Sequence, residues 1–271
     1  YLDEEGMSPT STTETFAALR LDIDPSLNWS YPMLRSVLYF VYALFLVAAV
    51  DVQAADTFEI KITENLPYLD VKQDGKTVRI QRIQDEENVL TGGFAKTSRK
   101  CPPFCVHHMS IAPGVATVGE LELLDFLKQR VAPGTGLLID ARTPEWYSKG
   151  TIPGSVNIPF YVFQKDSNDP EMQFVLDQIG IKPRTPGAIE RLWTSIKRLF
   201  GMQVNEAAMH WDLTKAKDLM LWCNGPWCDQ SPRAIRALIK LGYPESKLSY
   251  YRGGMQDWLV LGLTVITPGA K

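Results

Sequence analysis

The stretch LMLWCNGPWCDQSPRAIRALIKLGYP, residues 219–244, decides how this chain folds. Leu219 to Trp222 form an apolar run of strand length, while Ala234, Ile235, Leu238 and Ile239 repeat at helical spacing and the run closes at Gly242. A strand therefore feeds a loop, Cys223 to Gln230, and the loop feeds a helix. Ser231-Pro232 reads as the helix start, because a serine hydroxyl there accepts from orphan amides and proline at the first helical position loses no hydrogen bond. A cysteine at the carboxyl end of a strand, facing a helix amino terminus, sits where amides converge and the dipole favours an anion. Cys223 is thus expected to have a lowered pKa. Cys228 leaves a structural disulfide with Cys223 open.

Outward from this stretch, strands and helices alternate. TVGELELLDFLKQR (117–130) places Leu121, Leu124, Phe126 and Leu127 at helical spacing, and GLLIDAR (136–142) is a buried strand. TPEWYSKGTIPGSVNIPF is a turn-rich connection ending in a second short strand. MQFVLDQIGI and GAIERLWTSIKRLF read as helices, DLMLWC as the third strand, and LSYYRG and GMQDWLVLGL as a last strand and helix. This order predicts an α/β domain with a mainly parallel sheet, in which ligands gather at the carboxyl ends of strands.

With 271 residues, 45% hydrophobic, the chain suits one globular domain with extensions, and a formal net charge of -3 without a Lys/Arg cluster argues against nucleic acid as a partner. From Met33 the chain reads MLRSVLYFVYALFLVAAVDVQAAD: one arginine, a short apolar core, then small residues where a signal peptidase cuts. The apolar run is short of the roughly twenty residues a bilayer-spanning helix needs. Residues 33–54 are therefore read as a signal peptide cleaved after Ala54, giving a periplasmic or secreted protein. An uncleaved segment would instead anchor the protein to the membrane, facing the periplasm. Residues 1–32 carry no targeting logic and are read as a non-native or disordered extension.

Residues 55–118 read as an N-terminal extension. It holds a small hairpin, in which QDGKT turns between PYLDVK and VRIQRI, and then the loop SRKCPPFCVHHMSIAPGV. Cys101 and Cys105 admit a local disulfide or a second redox or sulfur-relay pair. With His107 and His108 they supply four soft ligands, but adjacent histidines rarely reach one ion, so no metal is assigned. Their spacing also misses the Cys-x-x-Cys-His haem signature. The loop's position before the first helix would let it fold back toward the sheet edge and accept sulfur from Cys223.

LLIDARTPEWYSKGTIPGSVNIPF and YYRGGMQDWLVLGLTV resemble the opening and closing signatures of rhodanese-like domains, with the strand, cysteine loop and helix of 219–244 between them. The resemblance spans residues 120–267 within a domain placed at 119–271, with a helical insertion at 161–217. It implies a mainly parallel central sheet flanked by helices. It also implies a thiosulfate sulfurtransferase-like activity in which Cys223 takes a sulfane sulfur as a persulfide and passes it to a thiol acceptor, protein or small molecule. No cofactor is implied. Asn224, Gly225, Trp227, Asp229, Gln230, Ser231 and Arg233 are expected to line the site of a small sulfur-containing donor. Asp140, Arg142 and Arg252 are expected in supporting roles.

The loop departs from the family in being longer and lacking a cation, and Asp229 would oppose a dianion such as thiosulfate. Thr151 stands where many members have histidine. Cys228 is placed to attack a Cys223 persulfide, so a thiol-disulfide or persulfide reductase remains a second reading. A non-catalytic binding module of the same fold is a third.

Overall fold

A computed structural model describes residues 59–202, 204 and 209–269; the segment read as a signal peptide lies outside them. No helix among the described residues is long and apolar enough to cross a membrane. The chain begins with an antiparallel hairpin, β1 (Tyr68–Gln73) and β2 (Lys76–Gln81). Asp74 and Gly75 join its strands with φ of 50° and 78°, the two positive values that a two-residue turn matching the strand twist requires.

The domain follows as β3 (Ala116–Val118), α1 (Glu120–Phe126), β4 (Gly136–Asp140), α2 (Pro144–Tyr147) and β5 (Ser155–Asn157). It continues through α3 (Pro170–Gln178), β6 (Lys182–Pro183), α4 (Ala188–Leu199) and β7 (Trp211–Asp212). It ends with β8 (Asp218–Trp222), α5 (Gln230–Leu241), β9 (Leu248–Tyr251) and α6 (Gly254–Val260). Five strands form one sheet in the order β3-β9-β8-β4-β5, all pairs parallel. The stretch 161–217 contains α3 and α4 with the short antiparallel pair β6-β7.

The apolar strands alternate between two cores, which is why they read as continuous hydrophobic runs. Leu138, Met220 and Trp222 point to the side packed by Leu123, Leu127 and Trp258. Ile139, Leu219 and Leu221 point to the other, packed by Ala234, Ile235 and Leu238 of α5 and Val175 of α3. Two expectations need correction. The stretch read as one helix from residue 117 opens with β3, because Thr117 and Val118 pair with Tyr250 and Tyr251 before Gly119 starts the helix. α5 begins at Gln230, so Ser231-Pro232 lies inside it and not at its start.

The hairpin is fastened to the domain. Ile80 is fully buried in the α1 and α6 core, and Gln81 exchanges hydrogen bonds with Thr264 near the chain's end. Gly154 donates to Gln73 Oε1 at 2.8 Å.

Candidate functional site

Cys223 follows β8 at the carboxyl edge of the sheet and is 2% exposed; Cys228 is 6% exposed. Both are free thiols, which corrects the open reading of a disulfide between them. The loop turns at Gly225, whose φ of 148° disfavours any side chain and whose Cβ would meet Gln256 Cβ at 2.8 Å. On the other side, the amides of Met255 and Gln256 at the start of α6 donate to the carbonyls of Cys223 and Asn224 at 2.9 and 3.0 Å. Gly254 makes this approach feasible, since any Cβ there would collide with the Cys223 carbonyl oxygen.

The Cys223 sulfur meets an acceptor and a donor, and its own thiol donates to the Cys228 carbonyl at 3.4 Å. Ser231 Oγ donates to Sγ at 3.0 Å, so the hydroxyl expected to cap the helix instead faces the Cys223 sulfur. The residue before α5 is Asp229, and its side chain makes no cap bond. Burial works to raise the Cys223 pKa. Hydrogen bonds from the Cys228 thiol, from the Ser231 hydroxyl and from the amides of Ser231 and Gly225 outweigh it, and the thiol is held below its ordinary value. Cys228 is pushed well above the ordinary value by burial, by its hydrogen bond to Cys223 and by the charge there. The two thiols are coupled, and their surroundings favour the anion at Cys223 over the anion at Cys228.

A buried polar brace holds the loop from behind. Arg142 forms a two-point ion pair with Asp140 at 2.8 and 2.6 Å, donates to the Gly150 carbonyl at 2.6 Å and to Asn224 Oδ1 at 3.2 Å, and lies over the Trp222 ring. Thr151 Oγ1 completes the set by donating to Asp140 Oδ2 at 2.9 Å. Asn224, expected at the substrate site, is therefore a tie between the cysteine loop and β4. Arg233 is also directed elsewhere. Its guanidinium lies over Phe160 and donates to Gln164 Oε1 at 3.0 Å, beside a cleft of about 550 Å3 that Arg236 and Lys240 also line. Asp229 stands 3.9 Å from Arg233, a loose exposed pair. Gln230 Oε1 is buried without a hydrogen-bond partner.

Over the loop lies a segment of the N-terminal extension. Trp227 meets Phe104 edge-on at 5.4 Å and Phe94 at 6.4 Å, and the Arg99 guanidinium sits 4.2 Å above it. His107 N–H donates to the Pro226 carbonyl at 3.0 Å, while Arg252 Nη2 donates to the His107 carbonyl at 2.8 Å. Gln256 Nε2 donates to the Phe94 carbonyl at 2.8 Å. Cys101 and Cys105 in this segment are joined as a disulfide, which removes both thiolates from a metal site with His107 and His108. Among the described residues no group of three or more His, Cys, Asp or Glu side chains gathers to hold a metal.

The residues that the sequence did not single out are Phe94, Arg99, Phe104, Gln256 and Tyr250. The first four act across long sequence separations. Tyr250 is fully buried on β9, with a hydroxyl that has no partner and a pKa raised by burial and then by the charges of Cys223 and Cys228. Only its neighbour in register, Leu221 of the cysteine strand, hinted at its place.

Residues 123–260, which carry four of the five strands of this sheet and both sides of the cysteine loop, match the model of the rhodanese-like domain family. The chain belongs to that family. No curated protein matches it. Among solved structures, this rhodanese-like chain is similar to a human single-domain sulfurtransferase (22% identity, 54% of this chain and 96% of that one, TM-score 0.31). It is also similar to a single-domain sulfurtransferase of Saccharomyces cerevisiae (14%, 55% and 91%, TM-score 0.32). A thiosulfate sulfurtransferase of Pseudomonas aeruginosa matches at 16% identity, over 58% of this chain and 21% of that one, with a TM-score of 0.33.

Proposed function

We propose that this rhodanese-like protein is a sulfurtransferase that carries sulfane sulfur as a persulfide on Cys223. The observation behind this is the buried Cys223 sulfur, stabilised as a thiolate by the Ser231 hydroxyl and by loop and helix amides. The thiolate attacks the sulfane sulfur of a small donor; a new sulfur–sulfur bond forms, the donor's own breaks, and the remainder leaves with the electron pair. An acceptor thiolate then attacks the outer sulfur and Cys223 departs as the thiolate.

The position of Cys228 favours a second ending. Its thiol hydrogen-bonds to Cys223, so it is placed to attack the inner sulfur, release hydrosulfide and close a Cys223–Cys228 disulfide. The chain would then act as a persulfide reductase. The Cys101–Cys105 bond supports an oxidising compartment and hence the exported location that residues 33–54 suggest.

The test is mass spectrometry of the purified protein after thiosulfate or polysulfide treatment. One added sulfur is expected on the Cys223 peptide, none in Cys223→Ser, and a longer-lived persulfide in Cys228→Ser. Sulfur loading that survives in Cys223→Ser would sink the assignment. Equal persulfide lifetimes with and without Cys228 would leave transfer to an external thiol as the ending.

A further inference from the structure

The segment over the cysteine loop carries a disulfide of its own. Cys101 is exposed and Cys105 half-buried. Cys105 follows Phe104, Cys228 follows Trp227, and those two rings touch at 5.4 Å with the Arg99 cation against both. The hydrogen bond from His107 to Pro226 and that from Arg252 to His107 hold the two chain segments side by side. One pair is oxidised and the other reduced. The Ser231 hydroxyl on Cys223 stabilises the reduced form of the inner pair, and a pair whose reduced form is stabilised is the stronger oxidant. That stabilisation favours electron flow from the outer pair to the inner one.

We propose that Cys101 and Cys105 form a second redox pair that returns a Cys223–Cys228 disulfide to the dithiol. This rests on the reading that Cys228 resolves a Cys223 persulfide. The Cys105 thiolate attacks Cys228 Sγ; the Cys105–Cys228 bond forms, the Cys223–Cys228 bond breaks, and Cys223 leaves as the thiolate that its surroundings favour. The Cys101 thiolate then attacks Cys105 Sγ, the mixed bond breaks, and Cys228 leaves and takes up a proton. Two electrons have passed inward, one of the two outer-thiol protons rests on Cys228 and the other goes to solvent. The outer pair is left as the disulfide seen here. An external dithiol reductant, reaching the exposed Cys101 side, resets it.

The experiment uses the full chain, reduced, freed of reductant and oxidised by one equivalent of either polysulfide or diamide, with disulfides mapped by peptide mass spectrometry. In the wild type the bond is expected at Cys101–Cys105, with Cys223 and Cys228 as thiols. Cys101→Ser is expected to trap a Cys105–Cys228 linked peptide whose yield does not fall on dilution. A Cys223–Cys228 disulfide that persists in the wild type, or a failure of diamide to close it in Cys101→Ser/Cys105→Ser, overturns the relay. A link that forms only between chains overturns it too. If diamide yields the link and polysulfide does not, the relay stands and the persulfide reading fails. If polysulfide closes the inner disulfide and no link appears, the persulfide reading stands and the relay fails.

Discussion

A hydroxyl that donates to Cys223 Sγ at 3.0 Å stabilises the thiolate more than the thiol, because the added negative charge strengthens the bond. Removing it in Ser231→Ala is expected to raise the Cys223 pKa. A hydrogen bond to a charged group contributes about 1.5–3 kcal/mol, which corresponds to about one to two pH units. The thiolate exists above the pKa, so the rise in its ultraviolet absorbance moves to higher pH in the variant. Cys228 is pushed up and the other two cysteines are bonded, so Cys223 dominates that titration. An unchanged midpoint would place the stabilisation in the Cys228 thiol and the amides of Ser231 and Gly225. The position of Cys223 was legible in sequence, since an apolar strand followed by a helix fixes which end of the sheet it occupies. The role of Ser231 was not. Ser-Pro at a helical boundary has the chemistry of a cap, but α5 starts at Gln230, which puts Ser231 inside the first turn with its hydroxyl on the Cys223 sulfur.

Between elements, the end of β4 and the loop after β8 are held by one buried cation. Arg142 is 1% exposed and bonds Asp140, Gly150 and Asn224. Replacing it by Gln leaves the Asp140 carboxylate buried without its counter-charge, a change that costs about 3–5 kcal/mol. The Arg142→Gln variant is expected to unfold at a clearly lower urea concentration, and a loss below about 1 kcal/mol, the range of exposed pairs, would reject the brace. Asp-x-Arg was readable as a supporting pair through the resemblance to rhodanese-like domains, and its burial at the end of a strand fits, since unpaired charge is not tolerated there. Its link to Asn224 was not readable, since nothing in a local pattern reports a contact across 82 residues. The strand β3 was missed for a related reason: three residues ahead of a strong helical pattern carry too little periodicity to separate them from it.

At the scale of the molecule, the N-terminal extension is fastened to the domain and lies against the cysteine loop. The hairpin is tied to the chain's end through Gln81 and Thr264, and the segment after it reaches across to Trp227. Both cysteine sulfurs are buried beneath or within the loop it covers, so a reagent reaches Cys223 only as often as this cover opens. Phe104→Ala removes one aromatic contact, with Trp227, and one cation contact, with Arg99, while every residue of the cysteine loop stays unchanged. Together these contribute about 1–2 kcal/mol, which corresponds to roughly a 5–30-fold change in the opening equilibrium. Iodoacetamide is expected to label Cys223 faster by that factor in Phe104→Ala, at a pH where the thiolate is fully formed in both proteins. Hydrogen exchange in residues 92–108 should rise in parallel. Faster exchange there with unchanged labelling of Cys223 would show that the segment opens without uncovering the sulfur, and that access is governed by the loop alone.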